Sequence, residues 1–187
     1  MTDISYNISS EIVSELLVES SLDAVLYFNF SGIYLTDITR GIFKSEYMYN
    51  NNRIYSIATQ FQSHYCRDGF ISFDEPSFKA IFNMKLISPI NALCLYNTPI
   101  YSETILNNNE YTCNYQSRFN TTNECKECVF YPSPLMSTYL NTFVIADYDR
   151  ISSVNINGLP QSLFYPGIYS NFTQYFWNAS LQIIPYF

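Results

Sequence analysis

From residue 24 onward, short runs of aromatic and β-branched residues recur at regular intervals, each closed by Gly, Pro, Asn, Asp or Ser. Side chains of that kind suit a pleated, half-buried surface, and the closing residues supply turns. A chain punctuated this way is expected to be mainly β, an antiparallel sandwich or barrel-like sheet. Strands are predicted over residues 24–30 and 33–38. A hairpin is predicted to join 47–49 to 54–59 through Asn50-Asn51-Asn52-Arg53, since Asn tolerates positive φ. Residues 70–73 read as a short strand, 92–96 as a buried one, and 78–87 fits strand or helix. Residues 106–110 and 119–129 read as polar loops, and 139–148, 151–156, 162–169 and 174–186 as further strands. One helix is expected, over residues 10–20. There Ile12, Val13, Leu16 and Leu17 make an apolar stripe, Ser9 or Ser10 can cap it, and Glu11 suits its N-terminal dipole. The resulting organisation is an N-terminal helical segment, 1–22, packed on a single β-rich domain, 23–187.

Composition narrows the function classes. The chain holds 18 Tyr and 15 Phe, carries a net charge of −7, and has only nine Lys and Arg. Phosphate neutralisation needs clustered cations, so nucleic acid is not an expected partner, nor is an anionic membrane surface. No apolar run reaches the roughly 18 residues of a membrane span, and residues 1–5 lack the features of a signal peptide. Glycan-acceptor triplets stand at Asn7, Asn29, Asn120, Asn171 and Asn178. A chain this rich in Asn, Ser and Thr gives about three or four by chance. The expected location is extracellular or virion-surface, as part of a longer or processed chain, with a cytoplasmic location as the alternative.

Cys125-Lys126-Glu127-Cys128 is the sharpest local motif. A Cys-x-x-Cys pair can hold half a zinc site, act as a redox dithiol or enter a disulfide network. Zinc would need two more thiolates, with Cys94 and Cys113 as the donors at workable distance. Glu124 and Glu127 would raise a thiol pKa, which disfavours redox catalysis. The favoured reading is that Cys125 or Cys128 pairs with Cys113, leaving Cys66 and Cys94 as further disulfide candidates or free thiols. No metal and no cofactor is called for.

His64 is the single histidine, so any Ser-His or Cys-His chemistry must pass through it. Asp37, Asp74, Glu75, Asp147 and Asp149 could supply a carboxylate pair, although turn chemistry accounts for them more simply. The remaining candidates are tyrosines, which offer contact area and a hydroxyl on few rotatable bonds. Tyr47, Tyr49 and Tyr55 form one candidate binding cluster, Tyr165 and Tyr169 a second, and Tyr175 with Trp177 a third.

These features favour a non-enzymatic extracellular or virion-surface glycoprotein domain that binds a protein or carbohydrate partner, such as a host molecule, through Tyr-rich patches. The texture of low charge, abundant Tyr, Asn and Phe, and scattered acceptor triplets resembles viral envelope-glycoprotein ectodomains. Two alternatives come from other classes. One is a cytoplasmic accessory protein with reduced cysteines and unused acceptor sites. The other is a small hydrolase using His64 or a carboxylate pair.

Overall fold

A computed structural model describes residues 6–12, 26–36, 39–106, 111–113, 115–119, 121–154 and 157–184. The first half of the chain forms β1 (Tyr6–Ile12), β2 (Leu26–Gly32), β3 (Gly41–Tyr49), β4 (Asn52–Gln60), β5 (Lys79–Ala80), β6 (Lys85–Pro89), β7 (Leu93–Tyr96) and β8 (Ile100–Ile105). The second half adds β9 (Tyr115–Gln116), β10 (Thr121–Thr122), β11 (Cys125–Phe130), β12 (Met136–Ser137), β13 (Phe143–Ala146), β14 (Asp149–Val154), β15 (Pro160–Tyr165) and the helix α1 (Ser170–Ile183). Short 3-10 turns lie at Cys66–Asp68, Thr138–Leu140 and Gly167–Tyr169.

All the ladders between these strands are antiparallel. The largest sheet has the order β3-β4-β13-β7, and a second has β6-β11-β8. In the four-stranded sheet, the β3–β4 hairpin turns at Asn50 and Asn51, whose φ values of 47° and 63° lie in the left-handed region that Asn tolerates.

The two sheets share a core. Ile42, Ile57, Phe61, Cys66 and Phe143 form one buried cluster, and Cys94, Cys128 and Phe130 form another. Met84, Leu86 and Tyr96 pack against both clusters and join them. Burying an aliphatic or aromatic side chain of this size stabilises by about 1.5–3 kcal/mol.

Mainly antiparallel β structure with a single helix among the described residues agrees with the expected fold class, but the helix is at the other end. Residues 9–12 lie in β1, whose register pairs Ser9 with Asn29 and Ile12 with Leu26; residues 13–25 are outside the described set. The alternation Tyr6, Ile8, Ser10, Ile12 is a strand pattern, and its partner β2 is supplied from farther along the chain, which local helical spacing cannot reveal.

Residues 174–186 were expected as a strand, yet Ser170–Ile183 is α1. Its aromatics favour strands by propensity, whereas the buried pair Thr173 and Trp177 has helical i, i+4 spacing. Residues 119–129 were expected as a polar loop, yet Cys125–Phe130 is the central strand of its sheet. Lys126 and Glu127 masked it, because both reach salt-bridge partners on neighbouring strands, Glu103 and Lys85. Of residues 33–38, the described ones, 33–36, contribute one bridge, Leu35 to Phe43, and 70–73 carry no strand.

Candidate functional site

The end of β4 delivers a short polar loop. Phe61 is buried, Gln62, Ser63 and His64 are exposed, and Cys66 is buried again, so three polar side chains stand over two apolar anchors. The Gln62–Ser63 peptide bond is cis. Ser63 Oγ lies 2.8 Å from His64 Nδ1, and the His64 ring sits 4.6 Å from that of Tyr65. The Tyr65 amide donates to the Phe61 carbonyl at 2.9 Å, which closes the loop on itself. Burial pushes the Cys66 thiol up to about 12, so it remains a neutral anchor.

Arg67, just after this loop in the chain, holds a buried carboxylate. The Asp74 side chain is 2% exposed, against 52% for its partner Arg67. The Arg67 amide donates to Asp74 Oδ2 at 3.1 Å, Arg67 Nε donates to the same oxygen at 3.3 Å, and Thr138 Oγ1 donates to Oδ1 at 2.7 Å. Ser137 Oγ adds a bond to the Pro76 carbonyl at 2.6 Å. Burial pushes the Asp74 carboxyl up, but the hydrogen bonds from Thr138 and Arg67 outweigh it, and its pKa falls below the ordinary carboxylate value.

A Ser–His contact supplies two members of a nucleophilic triad, and a third group must orient the imidazole. The carboxylates of this segment are committed elsewhere, Asp68 to Arg40 at 2.9 Å and Asp74 to Arg67 and Thr138. The arrangement therefore suits recognition better than nucleophilic attack. The Gln62 carboxamide, with both donor and acceptor atoms, can meet an amine or a peptide carbonyl.

A second polar centre lies where β14 and β15 meet the large sheet. Arg118 and Asp147 have side chains 6% exposed, with Arg118 Nε donating to Asp147 Oδ1 at 2.9 Å. Arg118 also grips Asp149 with both guanidinium nitrogens, at 2.9 and 2.7 Å, and its amide bonds the second Asp147 oxygen. The Asp149 carboxyl is held below its usual range, first by those hydrogen bonds. Gly167 crosses so close that a Cβ there would collide with the guanidinium and stand 2.9 Å from Asp149 Oδ2. This site is a structural junction, satisfied by its own residues.

The expected tyrosine clusters divide accordingly. Tyr47 donates to the Asp147 carbonyl at 2.9 Å, and the Tyr49 ring lies 5.9 Å from the Arg118 guanidinium, so both serve the junction. Tyr55 packs under Lys44, whose Nζ is 3.6 Å from the ring centre. Tyr165 is half-buried opposite Asp149 on the ladder, and Tyr169 is exposed. Trp177 is buried at 6% exposure, whereas Tyr175 on the same helix is 77% exposed, so α1 does not present them as one patch.

Of the acceptor asparagines, Asn171 and Asn178 are exposed on α1. Asn7 and Asn29 lie on the β1–β2 hairpin, paired with Ser31 and Ser9 respectively, and Asn120 is outside the described residues. Cys113 pairs with Cys125, while Cys66, Cys94 and Cys128 are free and buried. Among the described residues no group of three His, Cys, Asp or Glu is placed to hold a metal ion, and no helix is long and apolar enough to cross a membrane. Sequence reasoning missed the Arg67–Asp74–Thr138 and Arg118 centres, because their partners are brought together only by the fold.

Comparison with known proteins assigns this architecture. Residues 9–140 match the model of the Peptidase M1 N-terminal domain. Aminopeptidase 2 of Candida albicans is 29% identical over 191 residues, covering 100% of this chain and 19% of the relative. Aminopeptidase M1-D of Oryza sativa subsp. japonica is 34% identical over 136 residues, 73% of the chain and 14% of the relative. Aminopeptidase N of Homo sapiens is 34% identical over 132 residues, 67% and 12%. The chain thus spans less than a fifth of the length of these relatives. The family match overturns the expected non-enzymatic glycoprotein domain, together with virion-surface placement and host interaction. That expectation rested on composition and scattered acceptor triplets, neither of which identifies a family.

Proposed function

The chain belongs to the Peptidase M1 N-terminal domain family, and on that footing we propose that it is the β-rich N-terminal part of an aminopeptidase, contributing to substrate recognition. The observation that carries this reading is the match over residues 9–140, reinforced by relatives named as aminopeptidases. Removing an N-terminal residue requires a group that recognises a free α-amine and a centre that activates water. The residues of this chain do not fit a hydrolytic metal centre, having one exposed histidine and, among the described residues, no three-ligand cluster. No hydrolytic step is assigned to them.

Recognition is what the Gln62-Ser63-His64 loop can supply. Its side chains are exposed, it is held at both ends by buried Phe61 and Cys66, and the chain that follows it is fixed by the Arg67–Asp74–Thr138 bonds. A carboxamide on a pinned loop loses little conformational freedom when it accepts a hydrogen bond from an ammonium group. The Cys113–Cys125 disulfide supports an extracellular location, since such bonds persist in oxidising compartments.

The test is to capture the protein from the cells that make it and assay hydrolysis of aminoacyl-coumarin amides. Turnover of substrates with a free α-amine, lost when that amine is acetylated, is the expected result. Gln62→Ala should lower kcat/KM by about 10-fold, the effect of one hydrogen bond to a charged group. Captured protein with no such turnover would overturn the reading.

A further inference from the structure

Cys125 and Cys128 share β11, and the pleat sends them to opposite faces, because side chains alternate with a period of two. The Cys-x-x-Cys pair therefore does not close on itself. Cys125 is joined to Cys113 on one side. On the other, Cys128 meets Cys94 of β7 in a buried cluster with Phe130. β7 and β11 belong to different sheets, so this sulfur pair bridges the two layers of the core.

We propose that Cys94 and Cys128 form a second, inter-sheet disulfide, a redox-modification site whose oxidant is a small-molecule disulfide of the glutathione class. Cys94 and Cys128 pack in one buried cluster, and each perturbs the other's titration as a close neighbour does, so a bond between them would tie β7 to β11. Each has a polar companion: Cys94 Sγ donates to Ser88 Oγ at 2.9 Å, and Cys128 Sγ donates to Glu103 Oε1 at 3.4 Å. Lys126 Nζ lies 2.9 Å from the same Glu103 oxygen, keeping that carboxylate ionised.

The pair is also polarised. The Cys128 neighbour holds the Cys94 thiol below its ordinary range, and the Cys94 neighbour together with burial pushes Cys128 up. Cys94 is accordingly the attacking thiolate. Its sulfur bonds one sulfur of the oxidant and expels the other half as a thiolate. Cys128 then gives its proton to solvent as the core opens, attacks the Cys94 sulfur and expels the second thiolate. Two cysteine thiols lose two electrons and two protons, and the oxidant gains them as two thiol molecules. Because the chain already holds the Cys113–Cys125 bond, it folds where such an oxidant is present.

The experiment treats the purified protein with glutathione disulfide, adding mild denaturant in one arm to open the core. It then alkylates in full denaturant without reductant and reads intact mass and protease fragments. The expected result is one alkylated thiol, Cys66, in place of the three that are free now, and a linked pair of fragments containing Cys94 and Cys128. The oxidised form should melt on the order of 10 °C higher than the form bonded only at Cys113–Cys125. Cys94→Ala should leave Cys128 alkylated. If that variant does not fold, the wild-type fragment map still decides. Three alkylated thiols after the opened arm, or a bond from Cys128 to Cys125, Cys113 or Cys66, would overturn the proposal.

Discussion

Two centres in this molecule solve the same problem, a buried carboxylate, in opposite ways. At Asp74 the acid is buried and its arginine is at the surface, so the carboxylate is held mainly by the Thr138 hydroxyl and the Arg67 amide. At Asp147 the acid and Arg118 are both buried, and a second acid, Asp149, lies near the surface. Hydrogen bonds from neutral donors to a carboxylate can be replaced one at a time at a cost of about 1.5–3 kcal/mol each. A buried guanidinium cannot lose a partner without leaving charge in a poor dielectric. The first centre is thus graded and the second is nearly all-or-none.

The sharpest break in that contrast is Arg118→Met, which strands the buried Asp147 carboxylate. It should cost about 3–5 kcal/mol, read from the urea midpoint. Asp74→Asn keeps an acceptor for Thr138 and should cost about 1–3 kcal/mol by the same measurement.

Asp74 also gives the graded centre an acid signature. Its folded pKa is lowered, so its contribution is full above the unfolded value of about 3.9 and is lost as pH falls through the folded value. Asp74→Asn should flatten the acid limb of a stability-versus-pH curve, and an unchanged limb would mean that the other lowered carboxylates, Asp149 and Glu103, set it.

The smallest effect belongs to Tyr47, pushed up to about 12, first by burial and then by Asp147. Its neutral form is favoured in the fold, so its contribution is full below the unfolded value of about 10 and is lost as pH rises toward about 12. Tyr47→Phe should cost about 1 kcal/mol and remove one of two late phenolate steps from an ultraviolet titration, the other belonging to buried Tyr96.

Local signals carried the parts of this fold that are local. Asn50 and Asn51 encode the β3–β4 turn because positive φ is a property of single residues. β11 was hidden because its buried side chains, Cys125, Cys128 and Phe130, are broken up by Lys126 and Glu127, whose partners lie on other strands. The aromatic residues of α1 sent local propensity to the wrong conformation, although the Thr173–Trp177 spacing was present. At the candidate loop, His64 stood out as a lone histidine, while Gln62 carried no signal because exposure beside a buried anchor is a property of the folded chain. Composition pointed away from the family altogether.

Met84, Leu86 and Tyr96 belong to both hydrophobic clusters. Neither layer can therefore shed its apolar contacts while the other stays closed, and partial opening gains little entropy for the surface it exposes. Backbone amides on β6 and β13 should consequently exchange with solvent at matched, slow rates, set by one cooperative opening of the pair.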